Sequence, residues 1–333
     1  MAGKSTICVL GAGSWGTALA ILLGHNGHDV RLWGLPAEVE ALSRDRENKT
    51  YLAGIALPQT VHPEADLGRA LDGADEALIV VPSHAFREVL NQLADLIDDR
   101  QGIAWATKGF EPGTHRLLSE VAAELLPGRD LAVISGPTFA GEVARCLPTA
   151  VTVAATTQMR ATRMANLLHA PWFRAYTSDD LIGVQVGGAS KNVLAIAAGI
   201  ADGLGFGANT RAALITRGLT EIMRLGTHMG GKAETFMGLA GLGDLVLTCT
   251  DNQSRNRRMG LALAEGLSIA QARQRIGQEV EGVHTAQEVY NLATHNGVEM
   301  PISEQVYRVL YEKLEPKTAV HNLLERSQKS EAL

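Results

Sequence analysis

Residues 5–25 read STICVLGAGSWGTALAILLGH, and this stretch decides the fold. Its first six residues, STICVL, end in an apolar run and are rich in β-branched side chains, which predicts a buried strand. The strand stops at GAGSWG (11–16), a G-x-G-x-x-G spacing, and an apolar stretch of helical length follows. Glycine turns are common, and the spacing alone says little. Between a strand and a helix it has a mechanism: Gly11 permits the tight turn, Gly13 lets the backbone approach a pyrophosphate, and Gly16 lets helix and strand pack closely. The free N–H groups at the helix start then meet the phosphate charge. A dinucleotide site is the expected reading.

The same segment, from Ser5 to His28, lacks Asp, Glu, Lys and Arg, as a signal peptide or a membrane span would. Gly11, Gly13, Gly16, Gly24 and Gly27 break it into pieces too short to span, and only Lys4 resembles a positive leader. No membrane insertion is expected.

Working outward, short Val- and Ile-rich runs alternate with amphipathic stretches through the first half. Strands are expected near 5–10, 29–33, 76–81, 102–107, 131–135 and 150–155, with helices near 15–25, 84–97 and 160–168. After about residue 180 the strand signal disappears and Ala, Leu and Ile recur at helical spacing. The expected fold class is therefore an α/β N-terminal Rossmann-type parallel sheet domain over residues 1–182, followed by an all-α C-terminal domain over 183–333. The helix near 191–201 is apolar on almost every face and is expected at the centre of the second domain.

Composition narrows the function. The 333 residues are 46% hydrophobic and carry a formal charge of −6, which argues against nucleic acid or an anionic membrane as the main partner. Cys8, Cys146 and Cys249 have no pairing interval, and the histidines are scattered. Neither a disulfide framework nor a metal site is expected, and a reducing, cytoplasmic setting fits best.

Candidate site residues cluster in loops. The acid that usually binds the adenosine ribose should follow the glycine loop by about 20 residues. The second strand instead ends RLWGLP, offering Arg31 and no carboxylate before Glu38, so NADPH and NADH both stay open. VVPSH (80–84), ATKG (106–109) and SGPTFA (135–140) each follow a strand, at the edge where open parallel sheets bind ligands. Lys108 is placed to touch a phosphate or ribose. Gly136, Thr138 and Ala140 allow close backbone approach, although a plain Gly-Pro turn reads the same way.

In the second half, VGGASKNVLAIAAGIADG places Lys191 and Asn192 at the start of the buried helix. A lysine there either reaches water along its stem or works as a proton donor and acceptor at a carbonyl or alcohol oxygen. The second role is favoured, with Asp244 of GLAGLGDLVLTCT as its partner. Arg255, Arg257 and Arg258 are either a solvated basic face or, with Ser254 and Asn256, a fork for a substrate phosphate. Glu281 reads as a surface acid by spacing alone.

Together GAGSWGTALA, VVPSH, WATKG, ISGPTFA, GGASKNVLAIAAGIADGLGFGANTRAALITRG and GLAGLGDLVLTCTDNQSRNRR resemble the bacterial NAD(P)-dependent glycerol-3-phosphate dehydrogenases over nearly the whole chain. The resemblance implies a 6-phosphogluconate dehydrogenase-like fold and reduction of dihydroxyacetone phosphate to sn-glycerol 3-phosphate for glycerophospholipid synthesis. It implies that Lys191 moves the proton, that Lys108, Gly136, Thr138, Lys191, Asp244, Ser254, Arg255 and Asn256 bind substrate, and that Lys108 and Arg255 also touch cofactor. Ser14, Trp15, Ala140 and Glu281 match further cofactor positions. One position departs: Leu35 stands where many members carry Arg or His, which lowers the expected preference for NADPH. The phosphorylated substrate and a homodimer are the expected partners. The rivals are a ketopantoate-type reductase, for which one arginine fork would suffice, and a nicotinamide sensor, which needs no buried lysine.

Overall fold

The computed structural model describes residues 3–327. It divides into two units, one formed by the residues up to Lys108 with Leu118–Leu181, the other by Gly109–Leu117 with the residues from Ile182 onwards. The sequence reading assigns residues 109–117 to the first domain; the structure places them in the second. The reason is local: Glu288 accepts from the Gly113 N–H at 3.1 Å and pairs with His115. Residues 328–333 of the expected second domain lie outside the described residues.

The first unit runs β1 (Thr6–Leu10), α1 (Ser14–His25), β2 (Asp29–Trp33), α2 (Pro36–Asp45), β3 (Val61–Glu64), α3 (Leu67–Leu71), β4 (Glu76–Ile79) and α4 (Ser83–Ala94). It continues with β5 (Gly102–Trp105), α5 (Leu118–Leu125), β6 (Leu131–Ser135), α6 (Ala140–Ala144), β7 (Thr149–Ala155), α7 (Gln158–Leu168) and β8 (Phe173–Ser178). The eight strands form one sheet in the order β3-β2-β1-β4-β5-β6-β7-β8. Strand order reverses between β1 and β4, the switch point beyond which a doubly wound sheet binds its ligand. Central strands are buried on both faces because helices cover both sides, so their sequences are mainly apolar runs; the exception, Glu76 in β4, is paired with Arg160.

Two strands escape the sequence pattern. β3 is VHPE and β8 is FRAYTS; both lie at the sheet edges, where one neighbour suffices and polar residues are tolerated. The expected all-parallel pairing also fails once: β7 runs antiparallel to β6. The link between them holds only the five-residue α6, too short to carry the chain back along the sheet for a parallel return.

The second unit is helical among its described residues. It comprises α8 (Leu181–Gly203), α9 (Ala208–His228), α10 (Ala233–Phe236), a π-helical turn (Leu239–Gly243), α11 (Asp244–Thr250) and α12 (Arg255–Ala264). α13 (Ile269–Ile276), α14 (Glu281–Asn296), α15 (Pro301–Tyr311) and α16 (Pro316–Leu324) complete it. α8 is long and apolar enough to cross a membrane, but 89% of its most apolar stretch is buried, the position of a core helix. It also begins ten residues earlier than expected, so Lys191 sits mid-helix rather than at the start. Gly187 and Gly188 have low helix propensity, which tertiary packing overrides. A Cβ at Gly187 would lie 2.7 Å from the Ala240 carbonyl oxygen, so glycine is what lets the π-turn press against α8.

Candidate active site

At the carboxyl edge of the sheet the loops of the first unit interlock. Gly11 adopts φ +123° and donates its N–H to the Trp33 carbonyl at 2.9 Å; a Cβ there would lie 2.6 Å from the Val80 oxygen. One at Gly16 would lie 1.9 Å from the Gly11 oxygen, so both glycines are fixed by packing. Gly13 faces open space and precedes α1 with no side chain capping the first N–H groups. A strip of backbone donors beside an open face suits a pyrophosphate. Asn48 donates to the Ala12 carbonyl and the Thr17 hydroxyl, both at 2.8 Å, and so pins the loop. The sequence reading missed Asn48 because a lone asparagine far from the motif carries no spacing signal.

The neighbouring loops join in. Thr107 donates its hydroxyl to the Val81 carbonyl at 2.7 Å, Lys108 donates to the Gly136 carbonyl at 3.0 Å, and the Thr138 hydroxyl reaches the same oxygen at 3.2 Å. Lys108, Gly136 and Thr138 are thus brought together, with Gly136 at φ +150°. Ser14 and Trp15 open α1, and Ala140 opens α6; Trp15 and Ala140 pack against the sheet core. Leu35 is 64% exposed just before α2. Arg31 is partly exposed, and its guanidinium is tied down: it donates to the carbonyls of Arg69 at 2.8 Å and of Asp72, closing the end of α3.

In the second unit Lys191 is buried, and its ammonium forms an ion pair with Asp244, itself fully buried, and donates to the Thr248 hydroxyl at 3.0 Å. The Thr248 hydroxyl donates on to the Asp244 carbonyl at 2.6 Å. The π-turn starts this arrangement: it delivers Asp244 to the first position of α11 directly beneath α8. Cys249, beside it, is a packed thiol whose pKa burial pushes up to about 12.

The basic segment resolves into separate roles. Ser254 caps α12 by accepting from the Arg257 N–H at 3.2 Å. Asn256 donates to the Asn192 side chain at 2.8 Å and accepts from the Gly282 N–H at 2.9 Å, tying α8, α12 and α14 together. Arg257 is buried and bonded to Asp202 at 2.5 Å, which removes it from any solvated face. Arg255 is half-buried; burial lowers its pKa while the charge of Glu281 acts the other way. Arg255 and Glu281 therefore share one electrostatic environment. Among the described residues no cluster of His, Cys, Asp or Glu could hold a metal.

Residues 6–161 match the family described as NAD-dependent glycerol-3-phosphate dehydrogenase N-terminus, and residues 180–321 match its C-terminus. The chain belongs to the NAD-dependent glycerol-3-phosphate dehydrogenase family. It is 55% identical to the glycerol-3-phosphate dehydrogenase [NAD(P)+] of Shewanella halifaxensis (strain HAW-EB4), covering 99% of this chain and 98% of the relative. For that of Pseudoalteromonas translucida (strain TAC 125) the identity is 56%, covering 98% of each. The crystal structure of glycerol-3-phosphate dehydrogenase from Coxiella burnetii superposes with a TM-score of 0.95 at 51% identity, covering 97% of this chain and 99% of that one. A ketopantoate reductase from Ralstonia eutropha JMP134 gives 0.59 at 17% identity, which shows shared fold alone. This family member is an NAD(P)-dependent oxidoreductase, and the family's reaction interconverts dihydroxyacetone phosphate and glycerol 3-phosphate.

Proposed function

We propose that the chain performs this reaction with Lys191 as general acid and base. The observation that carries the proposal is the buried cluster of Lys191, Asp244 and Thr248: a charged amine is costly in an apolar helix unless it is paired or used. In reduction, Lys191 gives a proton to the C2 oxygen of dihydroxyacetone phosphate, and in oxidation it takes that proton from the C2 hydroxyl. A bound nicotinamide supplies or accepts the hydride at C2. Asp244 and Thr248 hold the amine in place, and Asp244 compensates its charge.

The substrate contacts proposed within the first unit are Lys108, Gly136 and Thr138. Within the second they are Lys191, Asp244, Ser254, Arg255 and Asn256, with Arg255 suited to a phosphate by its planar donors. Asn256 acts with the donor capacity its structural bonds leave over. The cofactor contacts proposed are Gly11, Gly13, Ser14, Trp15, Gly16, Leu35, Lys108, Ala140, Arg255 and Glu281. The open face at Gly13 and the uncapped start of α1 support the fit.

This reading includes a domain division near residue 182, a cytoplasmic enzyme supplying glycerophospholipid synthesis, and a homodimer; exposed Phe206, Met237 and Val246 on the helical unit support the last. The test follows absorbance of the reduced nicotinamide with purified protein, dihydroxyacetone phosphate and either cofactor. Phosphate-ester-dependent oxidation is expected, abolished in Lys191→Ala. Silence with both cofactors, or full turnover in Lys191→Ala, would overturn the assignment.

A further inference from the structure

The helical unit contains a hollow that the reaction does not use, a cavity of about 630 Å³ between α8, α9, α15 and α16. Its size falls within the range of small-molecule sites. Along α9, Thr210, Ala213 and Leu214 line one part and Arg217, Glu221 and Arg224 another, at helical spacing, so a single stripe passes from apolar to charged. Facing it, α15 presents Ile302, Gln305, Val306 and Val309.

The polar groups are not balanced among themselves. The Glu221 carboxylate is already engaged by the Ile302 N–H at 2.7 Å, the Ser303 N–H at 3.1 Å and the Ser303 hydroxyl at 3.0 Å. Arg224 donates to the Glu299 carbonyl, and Arg326 lies 3.6 Å from the Glu299 carboxylate. Arg217 forms no ion pair with any described residue, although it is exposed at the groove. Gln305 is only 8% exposed; its carbonyl accepts from Asn322 at 2.9 Å, while its amide donates to no described residue. This amide keeps access to the groove and can donate to a ligand oxygen there. The remaining wall is aliphatic.

We propose that this groove binds an amphipathic anion, an unbranched alkyl chain ending in a carboxylate or a phosphate, with its head at Arg217 and Gln305 and its chain along Leu214, Val306 and Val309. Three arginines against two carboxylates, of which Glu221 is buried and already engaged by three donors, select the sign of the head, and the aliphatic wall selects the chain. This site is independent of dehydrogenase turnover, so its test reads binding.

The experiment is calorimetric titration of the full chain with dodecanoate and with dodecyl phosphate, each below its micelle concentration, and with dodecanol as the uncharged control. Saturable one-to-one binding of at least one anion is expected, with the tighter of the two identifying the head. Dodecanol should bind about tenfold more weakly, and Arg217→Glu should weaken the anion by about tenfold or more. Gln305→Leu should weaken it less, and Ala213→Trp, which fills the groove from an exposed position, should abolish it. Dehydrogenase turnover serves as the folding control for each variant. Absence of saturable binding, or equal affinity across heads and variants, would overturn the proposal. So would sedimentation showing a dimer that Arg217→Glu dissociates, which would assign the groove to a second copy of the chain.

Discussion

The Glu38 carboxylate accepts a hydrogen bond from the Leu35 N–H at 3.2 Å, which returns an acid to the end of β2, a strand that itself ends without one. In Rossmann domains an acid at this place binds the ribose hydroxyl and repels a 2′-phosphate. Leu35, exposed beside it, offers no positive charge to offset that repulsion. Glu38→Gln is therefore expected to raise the NADPH to NADH ratio of kcat/KM by about tenfold, the effect of about 1.4 kcal/mol. Leu35→Arg should raise it further. Steady-state kinetics with both cofactors checks this, and an unchanged ratio in both variants would place neither side chain at the 2′ position.

The Lys191–Asp244 pair makes a prediction that separates stability from chemistry. Removing one member of a buried pair strands a charge, at a cost of about 3–5 kcal/mol, whereas replacing both by apolar groups is often neutral. Asp244→Asn and Lys191→Met should each lower the melting temperature, and the double variant Lys191→Met with Asp244→Leu should recover much of the loss. Turnover should fall by about 10²-fold or more in the two variants that lack the amine at residue 191, because only that amine supplies the proton, and it should fall less in Asp244→Asn, which keeps the amine but loses the charge that holds it. Recovery of stability together with turnover would remove Lys191 from the reaction.

These residues also show how far the sequence could be read. The glycine loop was legible because Gly11 and Gly16 must be glycine for local reasons, and the loop sits between a strand and a helix that both have strong apolar patterns. The ends of the sheet were not, since VHPE and FRAYTS owe their strand conformation to a neighbour distant in sequence. Lys191 was singled out by its charge in an apolar helix, but its place mid-helix was hidden by Gly187 and Gly188, whose role appears only against the π-turn. Arg257 looked like its neighbours; only the fold shows that Asp202 takes it out of the site. Glu38 was visible but came three residues late, and the turn at Leu35 carries it back.

Glu221 predicts a pH dependence of stability. Burial pushes its carboxyl from 4.5 up to about 7, while the Ile302 and Ser303 donors and the charge of Arg224 act in the opposite direction. The folded state therefore holds this proton where the unfolded chain has released it. By linkage, stability falls as pH rises from about 4.5 through about 7, by up to roughly 3 kcal/mol, and is level in this respect above that. Melting temperatures of the wild type and Glu221→Gln across this window check it: the variant should lack this decline. Parallel curves would show that Glu221 does not titrate there.

Arg257 makes three ties that fix the turn carrying Ser254 and Arg255: to the Cys249 carbonyl at 3.1 Å, the Asn252 side chain at 2.6 Å and Asp202 at 2.5 Å. Asp202 is held in turn by Arg211 at 2.9 Å. If this turn positions the groups that meet the substrate phosphate, Arg257→Met should raise KM for dihydroxyacetone phosphate by about tenfold, since small displacements of positioning groups are costly. KM for the cofactor should change by less than about threefold, a difference of under 1 kcal/mol. Arg257→Lys should fall between, keeping the charge but losing the planar fork. Steady-state kinetics with each substrate varied in turn gives the comparison. A parallel rise in both KM values would mean that Arg257 supports the helical unit as a whole, whereas a rise confined to the phosphorylated substrate ties it to the turn at Ser254 and Arg255.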